Sequence, residues 1–129
     1  MTSMKWALPA ALIAMTGFTT TQASAADADH FKGKTMTIAI GYGFGGTYGK
    51  YARVFSKHLG KHIPGNPTIV VKSMPGAGGM KMVNYAYAVM PKAGHNLLVP
   101  PDTIVINQLM RPKKMRFDAR EFRWLGSSN

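Results

Sequence analysis

Cysteine is absent from the 129 residues, which removes disulfide frameworks and thiolate metal centres together. Acids are nearly as scarce. Five Asp and Glu stand against 16 Lys and Arg, for a formal net charge of +11. Between His30 and Pro101 there is no acid at all, while nine Lys or Arg occur. General acid–base chemistry therefore has little to work with, and no Ser/His/Asp arrangement or convincing carboxylate pair is present. After the first residues, no run is apolar enough to span a bilayer. What remains is a basic field suited to anionic partners: small carboxylates, nucleic acid or anionic lipid. A solvated basic surface without a partner is the plainer alternative.

The N-terminus has the secretory pattern. Lys5 supplies a positive start, Trp6–Met15 is a short apolar stretch, and Ala23-Ser24-Ala25 is an A-x-A cleavage site. Residues 1–25 are expected to be removed on export, and an exported chain without cysteine suits a bacterial periplasm. Residues 26–129 suffice for one modest α/β layer structure and not for two full lobes.

Hydrophobic patterning orders the rest. Thr35–Ile40 alternates and is rich in β-formers, which predicts a strand. Tyr48–His62 places Tyr51, Ala52, Phe55 and Leu59 at helical spacing, and Pro64-Gly65-Asn66-Pro67 stops that helix. Thr68–Lys72 is nearly continuously apolar, as buried parallel strands are. A helix over Met80–Val89 should bury Val83, Ala86 and Val89. Asn96–Val99 reads as a third strand, Ile104–Met110 as a small helix and Trp124–Ser127 as a fourth strand. Asp118 and Glu121 have capping-box spacing. The order predicts an α/β fold with an open, mainly parallel sheet flanked by helices.

Two consecutive strand-to-helix junctions carry glycine loops, Gly41–Gly46 (GYGFGG) and Pro75–Gly79 (PGAGG). The first fits G-x-G-x-x-G, the dinucleotide fingerprint, and predicts an NAD(P)-type oxidoreductase as one reading. The acid that would hold a ribose is missing, because the second strand ends in Lys72-Ser73. Lys72 leaves an NADP variant open, although export argues against a soluble nicotinamide cofactor. The pair of loops suggests another use. Two helix N-termini at one sheet edge offer unsatisfied N–H donors and partial positive charge, enough to hold a carboxylate. Tight turns alone are the competing explanation. His58 and His62 at i, i+4 lack a third metal ligand, and Met74, Met80 and Met82 read as core filler before copper ligands. The basic segment Arg111–Arg116, with Phe117 and Trp124, reads as a solvated loop before a nucleic-acid patch.

The ordered set FKGKTMTIAIGYGFGG, YAR, LGKHIPGNPTIVVKSMPGAGG, PKAG and FDAREFRWLGS resembles the substrate-binding proteins of tripartite tricarboxylate transporters, the Bug-type receptors. The resemblance covers residues 31–129. It implies a periplasmic-binding-protein-like (type II) two-lobed clamp for a small organic anion such as a di- or tricarboxylate. Such a clamp delivers its ligand to membrane permease subunits, with no cofactor, metal, catalysis or nucleic acid involved. Carried over by position, the ligand-facing residues are Gly43, Phe44, Gly45, Gly46 and Thr47, then Ala77, Gly78 and Gly79, then Thr103 in the Pro101-Asp102-Thr103 segment. Receptors of this kind are much longer, so residues 26–129 are expected to form the N-terminal lobe of a truncated chain. They also carry an Asp where Gly49 stands, which leaves Thr47 as the expected helix cap, and an Asp where Ala93 stands.

Overall fold

The structure is a computed structural model that describes residues 30–127. The leader expected at residues 1–25 lies outside the described residues. Strands β1 (Thr35–Ile40), β2 (Thr68–Ser73) and β3 (Asn96–Val99) form one parallel sheet in the order β2-β1-β3. Helix α1 (Thr47–His58) continues into a tight 3₁₀ turn over Leu59–His62, and α2 (Met80–Ala88) follows a 3₁₀ turn over Ala77–Gly79. Helix α3 (Ile104–Met110) follows β3. The expected α/β architecture of an open parallel sheet with flanking helices is present. No helix of the described residues is long and apolar enough to cross a membrane.

Alternation along β1 sends successive side chains to opposite faces of the sheet. Ile38 and Ile40 pack with Ala52 of α1, joined by Ile69, Val71, Leu97 and Val99. Ala39 points the other way, into a cluster with Met80, Met82, Val83 and Ala86 of α2, Ile104 of α3, and Phe117 and Ala119. The two helices therefore cover opposite faces. Right-handed crossovers require this when β2 and β3 lie on opposite sides of β1.

The burial expected of the second strand is not what the sheet shows. The alternating segment, β1, is central, and Ala39 and Ile40 are fully buried. The continuously apolar segment, β2, is an edge strand with Thr68, Val70 and Lys72 exposed. Position in the sheet decided burial, and local composition did not.

Three further readings need correction. In α1 only Gly49 and Ala52 are buried, whereas Tyr51 and Phe55 are about half exposed. The helix approaches the sheet on its smallest residues, so its large rings ride outside the contact. Val89, expected in the core, lies just past the end of α2 and is 60% exposed. Trp124–Ser127 forms no strand. The Trp124 indole N–H donates to the Ala119 carbonyl at 3.0 Å, and an apolar groove of about 370 Å³ separates this segment from β3.

The capping box forms by half. Asp118 accepts from the Arg120 backbone N–H at 3.0 Å and from the Arg120 guanidinium at 2.6 Å. Glu121 instead accepts from the Tyr87 hydroxyl at 2.5 Å, which ties the turn to α2. Gln108 of α3 completes the clamp by accepting from Ala119 N–H at 2.8 Å.

Two outcomes test this packing by chemical and thermal denaturation. Met82→Ala should cost about 2–5 kcal/mol because it empties a sealed site, whereas Val89→Ala should change stability by less than about 0.5 kcal/mol. The second concerns acid. The Arg120 side chain, then its N–H and Gln108, hold the Asp118 carboxyl well below the usual carboxylate range. A depressed carboxylate contributes stability above its unfolded pKa and loses it as pH falls through the folded one. Asp118→Asn should therefore destabilise the chain at neutral pH, and the gap from wild type should narrow below about pH 4.

Candidate functional site

Parallel strands end at a common edge, and β1 stands in register with both neighbours there: Ile40 with Ser73 and Ile40 with Val99. The loops after all three strands consequently leave from one side of the sheet, where ligands of open α/β sheets bind. The contacts between them are specific. Ser73 Oγ donates to the Tyr42 carbonyl at 2.8 Å, and Met74 N–H donates to the Ile40 carbonyl at 2.9 Å. The Tyr42 hydroxyl reaches across to the Gly78 carbonyl at 3.3 Å. Tyr42 also stacks on Tyr48, with ring centroids 4.6 Å apart.

At the centre the backbones touch. A Cβ added to Gly41 would lie 2.6 Å from the Gly79 Cα, and one on Gly79 would lie 3.1 Å from Pro101 Cγ. Gly79 is therefore a buried spacer between the first and third loops, where a ligand-facing role was expected. Gly78 and Ala77 are exposed beside it, as are Gly43 to Thr47 of the first loop and Thr103 of the third.

The glycines act by different means. In the second loop Gly76, Ala77, Gly78 and Gly79 have φ of 140°, 50°, 62° and 87°, so four successive residues lie at positive φ. Ala77 takes this conformation without glycine's freedom. In the first loop no glycine has positive φ. Gly43 and Gly45 have open space where a Cβ would be, which leaves the loop backbone accessible. Gly49 is the opposite: a Cβ there would lie 2.3 Å from the Phe44 carbonyl oxygen. The acid that the resemblance places at this position has no room in this loop geometry.

The helix ends correct a second reading. Gly46 occupies the cap of α1 and Thr47 is the first helical residue, so Thr47 does not cap. No side chain caps α1 or α2, and neither first turn contains an acid. At α1 this leaves first-turn donors without a side-chain acceptor, whereas at α2 the Gly79, Met80 and Lys81 N–H groups donate to the Gly76 and Ala77 carbonyls of the preceding turn. The residue that orders the first loop is Arg53, which sequence reasoning missed. Its guanidinium donates to the Phe44 carbonyl at 2.5 Å and to the Gly49 carbonyl at 3.3 Å. An arginine in the second turn of a helix that follows a glycine loop was the available signal.

The carboxyl edge also carries one acid. Burial raises the Tyr42 pKa, and the neighbouring Tyr48 and the Asp102 carboxylate raise it further. The predicted residues do not all share one surface. Ala77 lines a groove with Lys81 and Arg111, and none of residues 43–47 lines it.

The end of β2 offers little to a ribose. Lys72 Nζ lies over the Tyr85 ring at 5.9 Å from its centroid, and the Ser73 hydroxyl is bonded to Tyr42. Gly46, third glycine of the fingerprint, is exposed and does not bring helix and strand together.

Gly49→Ala should destabilise the chain by about 1–3 kcal/mol through its clash with Phe44, while Gly43→Ala should be tolerated within about 0.5 kcal/mol. Urea denaturation of both variants checks the contrast. Comparisons with protein-family models, curated proteins and solved structures found no match.

Proposed function

We propose that this chain is an exported, non-enzymatic receptor lobe that holds a small organic anion, a di- or tricarboxylate, for membrane permease subunits. The observation that carries the reading is the pairing of two glycine-loop helix starts at one sheet edge. They meet at Gly41 and Gly79, and both are without side-chain caps or first-turn acids. The α1 start suits a carboxylate, because its dipole favours negative charge and no side chain competes for its donors. At α2 the Gly79, Met80 and Lys81 N–H groups already donate to the Gly76 and Ala77 carbonyls, and the dipole is what remains. Gly43 to Thr47 and Gly78 supply the accessible backbone, and Tyr42 fixes the spacing between the loops. The leader pattern and the ordered resemblance to tripartite tricarboxylate receptors support a periplasmic setting, a second lobe and transport.

A single wall of such a clamp binds weakly, because affinity grows with burial of the ligand between walls. Titrating the labelled chain with succinate and citrate while following backbone amide resonances should give dissociation constants of about 1 mM or weaker. The shifts should concentrate at residues 43–47 and 78. Micromolar binding would overturn the single-wall reading. Shifts at the first loop with NADH and none with carboxylates would transfer the site to a nucleotide.

A further inference from the structure

A second concave surface lies on the α2 side of the sheet. It is a groove of about 490 Å³ whose lining includes Lys81 and Asn84 of α2, Asn107 of α3, and Arg111 and Lys114 beyond α3. No carboxylate lines it. Among the described residues the ion pair is Arg120 with Asp118, so the three cations of the groove stand without a carboxylate partner. Their placement follows from local structure. Arg111 ends α3, and the 3₁₀ turn Pro112–Lys114 follows, closed by Lys114 N–H donating to the Arg111 carbonyl at 3.0 Å. The turn is short enough that Arg111 before it and Lys114 at its end both line the groove.

The opposite wall is held to this one. Asn84 Oδ1 accepts from Arg116 N–H at 2.7 Å, and its amide donates to the Lys114 carbonyl at 3.5 Å. The width of the groove is therefore set by a side chain bonded across it. Lys81 is the second residue of α2, where the helix's own dipole disfavours a cation. A bound anion would relieve both that repulsion and the repulsion among the three cations.

We propose that this groove binds a compact multivalent phosphate, of which inorganic pyrophosphate is the simplest example. Arginine's planar fork matches phosphate oxygens in pairs, and the two lysines act as point charges beside it. Three cations call for a ligand with several negative charges on a small frame, and the volume suits a small molecule. The groove shares the second glycine loop through Gly76 and Ala77 but none of residues 43–47 lines it, so loss of carboxylate shifts at the first loop and loss of pyrophosphate binding are distinguishable outcomes.

Calorimetric titration of the full chain with sodium pyrophosphate tests the assignment. Saturable binding should weaken at least about tenfold in Arg111→Gln/Lys114→Gln. It should change by less than about twofold in Lys57→Gln/Lys61→Gln, which removes the same charge from α1 and its following turn. Matching thermal melts would establish that all three chains are folded. Equal weakening in both variants would overturn the proposal and leave a bulk charge effect. Absence of saturable heat would overturn it outright. Binding of citrate but not pyrophosphate, lost in the groove variant, would overturn the phosphate assignment, as would a preference for a DNA oligonucleotide that both variants weaken equally.

Discussion

The rest of the carboxyl edge depends on one backbone contact, that of Gly41 with Gly79. A side chain at Gly41 would collide with the opposite main chain, so the exit of the central strand and the entry to α2 meet at a distance only glycine permits. From that contact the remaining geometry follows. Tyr42 is placed to reach Gly78, Ser73 to reach Tyr42, and Pro101 to close over Gly79 from the third loop. The same contact seats the first residues of α2, whose Met80, Met82 and Val83 are the heart of the larger core cluster. Packing and site geometry are thus consequences of a single approach.

Much of this was legible in the residues. Strand and helix positions follow from apolar period and from the Pro and Gly stops, and both glycine loops were expected at one edge because parallel strands must end together. Burial was less legible because it depends on sheet order. Val70 belongs to a continuously apolar run and is exposed because β2 is an edge strand. Ala39 sits in an alternating run and is sealed because β1 lies between its neighbours. Trp124 belongs to a strand-like stretch, yet its indole bond to Ala119 holds it away from β3.

Glycine shows the same limit. Sequence reading identifies a residue without a side chain but not the reason for it. Gly49 is required by a neighbouring carbonyl, Gly78 by its dihedral angle, and Gly43 by neither, so the accessible part of the loop is the part no steric rule demanded. Arg53 was invisible for a related reason. Its role is defined by a carbonyl nine residues earlier in the chain, a distance at which periodicity carries no information.

That arginine has a thermodynamic consequence. A loop can be ordered by side chains that accept from its N–H groups, which consumes donors, or by side chains that donate to its carbonyls, which does not. Arg53 takes the second route at Phe44 and Gly49. The loop therefore loses conformational freedom at folding without a side chain occupying its N–H groups, and its ordering entropy is settled within the folded chain itself.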